Sequence, residues 1–204
     1  MIEESDRKKI NSILSFWFGS VEDRENIIDI DKRINSLWFS RNKENSDKLK
    51  NKFMDLLEDA KRGEYSNWVS EPYGRLSLIV LLDQFSRHIY YNDMRAYEGD
   101  KLALKYSLEG VDTKLDRKIK PIERVFFYMP LIHSEYVEYV EKGLNLLKKL
   151  RKYSPKYLIP EIDNSIEFAK HHIDLLENFG RYPHRNKILG RRNTKEETEY
   201  LKYR

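Results

Sequence analysis

The sequence contains no cysteine, which excludes disulfides, thiolate metal sites and a cysteine nucleophile. It also lacks long apolar runs: the longest extends from Leu76 to Leu82 and is interrupted by Ser77. Because a helix needs about 20 apolar residues to span a bilayer, we expect no membrane-spanning segment. Acidic Glu3 and Glu4 stand where a secretory signal would carry basic and then apolar residues, so we predict a cytoplasmic protein that does not associate with membranes.

Several motifs of well-known enzyme and cofactor sites are absent. None of the eight glycines forms a Gly-x-Gly pair, and no Gly-Lys-Ser/Thr sequence is present, which excludes the usual nucleotide-binding loops. The chain also has no His-Glu-x-x-His zinc helix and no Gly-x-Ser-x-Gly nucleophile elbow. The sequence therefore predicts no cofactor, no metal site and no standard catalytic residue, and it favours a protein that is not an enzyme.

The chain is rich in apolar and charged residues. Its 204 residues are 40% hydrophobic, 13% aromatic and 35% charged, which is enough for a core and excludes a disordered polar chain. Residues 181–204 hold eight basic and three acidic side chains, a charge of +5, whereas residues 1–180 are close to neutral at −1. We expect one domain, residues 1–204, that includes this basic segment and exists as a monomer or weak dimer.

Apolar residues recur at i, i+3, i+4 and i+7 along most of the chain, and no segment alternates strictly as a strand would. We therefore predict an all-α fold of about eight to nine antiparallel helices packed as helical hairpins. The predicted helical segments are Ile10–Phe18, Ile30–Trp38, Leu49–Ala60, Pro72–Tyr90, Arg95–Leu108, Ile122–Tyr128, Val137–Leu147, Leu158–Phe179 and a last helix that begins at Thr194.

Glycine, proline and capping residues predict where several of these helices begin and end. Gly19, Gly63, Gly110 and Gly180 are expected to stop the first, third, fifth and eighth helices. Pro130 is expected to interrupt the sixth. The predicted helix starts involve a cap from Ser134 for the seventh helix and a capping box between Thr194 and Glu197 for the last.

The first polar constellation lies in the most apolar predicted helix. Asp83 and Arg87, and likewise Gln84 and His88, are spaced i, i+4 and can touch. Buried polar groups must be paired, because an isolated buried charge costs several kcal/mol. The pairs either form an ion pair that ties this helix to its neighbours or line a polar pocket in the core.

The second constellation surrounds the predicted break at Pro130. His133 lies four residues before Val137 on the inward stripe, which suits either a hydrogen-bonded core histidine or an acid–base group. Glu135 can complement the dipole of the following helix or act as an acid. His172 shares a helix face with apolar residues and is expected to pack in the core.

The third constellation is the loop from Phe179 to Arg192, which concentrates guanidinium groups. The planar fork of arginine binds carboxylate and phosphate through paired hydrogen bonds. The alternative is that these arginines pair with Asp and Glu of preceding helices and fix the C-terminus. The candidate anion-binding side chains are Arg181, His184, Arg185, Asn186 and Arg191.

Taken in order, these strings resemble the signatures of the domain of unknown function 924 family. They are Leu-Leu-Asp-Gln-Phe at 81–85, Tyr-Met-Pro-Leu at 128–131 and Phe-Gly-Arg-Tyr-Pro-His-Arg-Asn at 179–186. The resemblance covers nearly the whole chain and implies a single all-helical domain of tetratricopeptide-like architecture. Ser86 stands where the family usually has proline, and His88 where it often has asparagine. The family has no established activity, so the resemblance assigns no catalytic residue.

Three hypotheses for function follow. The first is binding of an acidic peptide or anionic small molecule by the loop arginines, supported by a second polar cluster. The second is an enzyme that uses His133 or His184 as general acid or base, oriented by Asp83 or Glu135. The third is RNA binding, which the lack of a basic-aromatic motif argues against. The supporting cluster consists of Asp83, Gln84, Arg87, His88, His133 and Glu135.

Overall fold

A computed structural model of the protein describes residues 2–19, 37–38 and 43–203. These ranges contain helices and no strand, which confirms the predicted all-α fold for the part of the chain they cover. None of their helices has the length and apolar composition needed to cross a bilayer. The α-helices are α1 (Glu4–Phe18), α2 (Lys43–Lys61), α3 (Pro72–Ile79), α4 (Ser86–Ile89), α5 (Asp100–Asp112), α6 (Pro121–Ile132), α7 (Val137–Tyr153), α8 (Ile159–Phe179) and α9 (Lys195–Lys202).

The first helices follow their apolar stripes. In α1, the predicted inward residues, Trp17 among them, are buried, and the helix stops at Gly19, which has a positive φ of 93°. In α2, Leu49, Phe53 and Leu57 are buried. The predicted segment Ile30–Trp38 lies largely outside the described residues; its last two members, Leu37 and Trp38, are buried.

The predicted central helix spans α3, a π-helical segment from Val80 to Phe85, and α4. It contacts α1, α2, α5 and α6, and its apolar side chains are almost fully buried. A π-helical turn widens the backbone by one residue and is frequent at functional sites. Here it contains Asp83, an ionisable side chain that is completely buried.

The prediction that Gly110 stops the fifth helix was wrong. Residues Met94–Tyr97 form a short 3-10 helix, and α5 then continues through Gly110 to Asp112. A Cβ atom at Gly110 would lie 2.4 Å from the ring of Phe127. Glycine is therefore present because two helices approach closely there, rather than because the chain must turn.

The predicted interruption at Pro130 was also wrong. Pro130 lies inside α6, in its last turn, where the missing proline N–H removes only one late hydrogen bond and the surrounding residues are buried. Ser134 does not cap α7 either, because the N-cap is Tyr136 and makes no side-chain cap. The Ser134 hydroxyl instead accepts a hydrogen bond from the Tyr136 N–H at 3.1 Å.

The C-terminal half of the fold places the basic loop. Helix α6 packs on α7, and α7 on α8, which ends at Gly180 as predicted. The loop then returns to the end of α6, where the Tyr182 hydroxyl lies 2.7 Å from the carbonyl oxygen of Ser134. The predicted capping box of Thr194 and Glu197 begins α9. These contacts place the loop beside the π-helical segment.

Candidate functional site

Two adjoining cavities lie where the π-helical segment, the end of α6, helix α8 and the basic loop meet. The smaller has a volume of about 360 Å³ and is called the polar cavity; the larger has about 650 Å³. Both volumes fall in the range of roughly 300–1,000 Å³ that is usual for small-molecule sites. Arg87, His133 and Phe168 line both cavities. The polar cavity is also lined by Tyr97, His172, His184 and Arg185.

Asp83 is completely buried at the base of this site, and three side chains hold it. Its Oδ1 lies 2.7 Å from Nδ1 of His133 and 3.3 Å from Nη2 of Arg87, and its Oδ2 accepts a hydrogen bond of 2.5 Å from the Gln84 amide. Burial alone would raise the pKa of this carboxyl. The charge of Arg87 and the hydrogen bonds from His133 and Gln84 outweigh burial, so the pKa of Asp83 is lowered and the group is ionised.

Arg87 joins the π-helical segment to the start of α5. Its guanidinium donates two hydrogen bonds to the Asp100 carboxylate, at 2.9 and 3.1 Å, and others to the carbonyl oxygens of Asp83 and Ala96. Burial opposes its charge, but the carboxylates of Asp100 and Asp83 raise its pKa above the ordinary value. Arg87 thus donates most of its hydrogen bonds to groups within the protein.

Two buried histidines of the polar cavity are neutral at pH 7. Burial is the main cause that lowers the pKa of His133, and together with the charges of Arg87 and Arg185 it outweighs the opposing effect of Asp83. Burial likewise lowers the pKa of His172 to about 3. Each Nδ1 faces an acceptor, the Asp83 carboxylate for His133 and the Ile132 carbonyl at 2.8 Å for His172. The hydrogen-bond pattern therefore assigns the proton to Nδ1 and leaves each Nε2 as an acceptor.

Of the two buried arginines in the described residues, Arg75 donates several hydrogen bonds and Arg185 donates none. The residue is 6% exposed, and its guanidinium carbon lies 4.6 Å and 5.1 Å from the ring centres of Tyr182 and Tyr97. Its nearest carboxylate oxygen, on Asp100, is 3.9 Å away, and no hydrogen bond joins its side chain to any residue of the described ranges. Burial and the charge of Arg87 lower its pKa. The polar cavity thus contains a buried cation with hydrogen-bond donors to offer.

The other loop residues that we predicted as anion ligands bind the protein itself. Arg181 donates to both oxygens of Glu197, at 2.6 and 2.9 Å. Arg191 does the same to Glu135, whose carboxylate also accepts a hydrogen bond from the Tyr182 backbone. The Asn186 amide bonds to Asn193 and Glu197. None of these predicted ligands lines either cavity.

The structure therefore brings together part of the predicted set. Arg87, His133, His184 and Arg185 line the polar cavity, while Gln84 and His88 line the larger one. Asp83 lies buried behind them, and Arg181, Glu135, Asn186 and Arg191 are placed in ion pairs or hydrogen bonds outside. Among the described residues, no group of three or more His, Asp or Glu side chains is arranged to hold a metal ion.

Sequence reasoning missed four residues of the site. Asp100 holds Arg87 across 13 positions, and Tyr97 and Tyr182 cover the faces of Arg185. Phe168 lies on the same helix as His172 and was not proposed as a site residue. Asp100 is an acidic residue in the first turn of α5, but the predicted helix began at Arg95, so the sequence did not mark it as a helix start.

The sequence pattern of a protein family described as "Bacterial protein of unknown function (DUF924)" matches residues 13–204. The chain belongs to the DUF924 family. A solved structure, a protein of unknown function called ATU0120 from Agrobacterium tumefaciens, resembles this DUF924 chain with a TM-score of 0.73 and 30% sequence identity. The match covers 88% of this chain and 97% of that one. No curated protein matches. These relatives confirm the family and assign no role to any residue.

Proposed function

We propose that this DUF924 protein binds a small anionic molecule in the polar cavity, with Arg185 as its principal ligand. The observation that carries the proposal is the buried guanidinium of Arg185, which lies between two tyrosine rings and makes no hydrogen bond to the described residues. Arg185 lines the polar cavity, where a carboxylate or phosphate oxygen would accept hydrogen bonds from its donors. Hydrogen bonds between arginine and such anions are among the strongest in proteins.

The placement of the other arginines supports a small molecule over an acidic peptide or RNA. Arg181 and Arg191 are held by Glu197 and Glu135, so the +5 segment does not present a row of unpaired guanidinium groups. A peptide or a nucleic acid would need several such contacts along an open surface. The polar cavity instead offers Arg185, which makes no hydrogen bond to the described residues, beside Arg87, which Asp100 and Asp83 already hold. One available cation in an enclosed space suits a compact anion.

A chemical-shift titration tests the proposal. Acetate and inorganic phosphate are added to the wild-type protein and to the variants Arg185→Met, Arg185→Lys and Arg151→Met, each first shown to be folded by its spectrum. Arg151 is an exposed arginine of α7 that pairs with Asp163, so its variant controls for the loss of one positive charge. We expect saturable binding in wild type and Arg151→Met, weaker binding in Arg185→Lys and none in Arg185→Met. Equal binding by all four proteins contradicts the proposal.

A second candidate function is acid–base catalysis of ester hydrolysis in the polar cavity, and the Asp83–His133 contact favours it. The Asp83 carboxylate fixes the Nδ1–H tautomer of His133, so Nε2 can accept a proton. With a carboxylic ester, water would give a proton to Nε2 while its oxygen adds to the carbonyl carbon, and Arg185 would stabilise the oxyanion. The departing alkoxide would then take the proton from the imidazolium.

Hydrolysis of p-nitrophenyl acetate tests this second candidate. His133→Gln is compared with His171→Gln, which changes an exposed histidine on α8. If His133 is the base, His133→Gln should hydrolyse the ester no faster than buffer, and His171→Gln should keep the wild-type rate. The same rate in both variants, or none in the wild type, contradicts it. His133 is preferred to His184 because the buried carboxylate orients it.

We also propose that the helices have the tetratricopeptide-like arrangement that the family resemblance implies. The successive packing of α6 on α7 and α7 on α8, joined by short connections, supports this arrangement. A cytoplasmic location and a monomeric or weakly dimeric state stay predictions from the sequence.

A further inference from the structure

The two cavities adjoin but differ in chemistry. They share Arg87, His133 and Phe168, so these side chains lie at their common boundary. The polar cavity adds Arg185 and two further histidines. The larger cavity adds one apolar wall, formed by Trp38, Val125, Phe126 and Met129. A molecule that filled both would therefore meet a cation at one end and hydrocarbon or aromatic groups at the other.

We infer that the ligand is an amphipathic carboxylic acid, with its carboxylate at Arg185 and its apolar body in the larger cavity. This inference rests on the proposed anion-binding function and adds to it the chemical class of the ligand. Each half of the ligand is assigned by the side chains that would face it.

The cations of the site match one negative charge. Arg87 is held by Asp100 and by Asp83, which leaves only the Arg185 guanidinium with donors to offer. A doubly charged phosphate would need a second available cation, whereas a carboxylate needs one. The acid group is assigned to the polar cavity, because the one arginine among the described residues that line the larger cavity is Arg87, at the boundary.

The apolar body is assigned by the wall of the larger cavity and by its boundary. Trp38 and Phe126 form an aromatic pair with ring centres 4.7 Å apart, and Met129 lines the same cavity. Phe168, at the boundary, is 40% exposed although it is large and apolar. An apolar ligand segment beside Phe168 would cover this ring and remove it from water.

A series of straight-chain carboxylates tests the inference. Acetate, butyrate, hexanoate and octanoate are titrated into the wild-type protein, and dissociation constants are measured by chemical shift. Burial of one methylene contributes about 0.8 kcal/mol, so each added methylene is expected to tighten binding about fourfold until the larger cavity is filled. If acetate binds and the longer carboxylates bind with the same affinity, the inference is overturned and the anion-binding proposal stays intact.

Variants of the larger cavity test whether the hydrocarbon chain of the ligand lies there. Asn164→Trp and Ser165→Phe enlarge side chains that line the larger cavity only, and Asn178→Trp makes a matched change at an exposed position of the same helix. Asn164 is exposed, so its variant is expected to fold even where the buried Ser165→Phe does not. Both cavity variants should bind acetate like the wild type and lose the gain with chain length, while Asn178→Trp keeps it. A gain that persists in the cavity variants, or in Arg185→Met, contradicts the inference. No acetate binding in any protein contradicts the proposed function itself.

Discussion

Nδ1 of His133 lies 2.7 Å from Oδ1 of Asp83, although 50 positions of sequence separate the two residues. The contact joins the end of α6 to the π-helical segment, and the side chains are 13% exposed for His133 and 1% exposed for Asp83. It fixes the orientation of the imidazole that lines both cavities. The stability of the fold and the geometry of the site therefore depend on the same carboxylate.

Replacement of Asp83 by asparagine is expected to destabilise the protein by about 3 kcal/mol. The substitution preserves shape but removes the charge that Arg87 and His133 face, and loss of one partner of a buried ion pair typically has an effect of about this size. Urea unfolding at pH 7 measures it. Asp163→Asn is the control, since Asp163 forms an exposed pair with Arg151 and its variant should change stability little. Equal effects of the two substitutions would contradict the role given to Asp83.

The stability of the protein should fall as the pH decreases from 7 to 5. The pKa of His172 is about 3 in the folded protein and near the ordinary 6.5 when unfolded. The unfolded chain thus binds a proton that the folded chain rejects, which favours unfolding by about 2 kcal/mol between these pH values. Urea unfolding at both pH values should show a smaller loss for His172→Asn than for the wild type. The same loss in both proteins would mean that the imidazole of His172 is not kept neutral by burial.

Arg191 and Glu135 are expected to stabilise the fold without taking part in anion binding. The two side chains form paired hydrogen bonds and are each about one quarter exposed. Arg191→Met and Glu135→Gln should therefore each destabilise the protein by about 1–2 kcal/mol. The double variant should lose less than the sum of the single variants, because both break the same pair. Denaturant unfolding gives these values, and an acetate titration of Arg191→Met provides the second readout. Loss of acetate binding in that variant would place Arg191 in the site after all.

Gly110→Ala is expected to destabilise the protein by about 1–3 kcal/mol, because the added methyl group would overlap the ring of Phe127. Alanine ordinarily favours a helix over glycine, so the expected sign is opposite to that of helix propensity. Thermal unfolding measures the change. The double variant with Phe127→Leu should recover part of the loss, and stabilisation by Gly110→Ala alone would show that the two helices are not closely packed.

Apolar periodicity predicted the helices well where one face of a helix is buried. The stripes of α1 and α2 and the stop of α8 at Gly180 follow local rules of spacing and backbone conformation. Gly110 was misinterpreted because its local preference is overridden by the close approach of Phe127. Pro130 was misinterpreted because it lies in the last turn of α6, where it removes only one late hydrogen bond. A glycine that stops a helix and a glycine that admits Phe127 look the same in sequence.

The residue types of the site were predictable, but their partners were not. Arg181, Arg185 and Arg191 have the same chemistry and lie in one loop. Glu197 and Glu135 neutralise two of them from 16 and 56 positions away, and no periodic pattern identifies those carboxylates. Only the three-dimensional arrangement distinguishes Arg185, whose nearest carboxylate is 3.9 Å away.

The most direct test of the central claim is a crystal structure of the protein grown in acetate. We predict a carboxylate within about 3 Å of the guanidinium nitrogens of Arg185, the distance of a charge-assisted hydrogen bond, inside the polar cavity. An empty polar cavity in crystals where acetate occupies Arg181 or Arg191 would contradict the account.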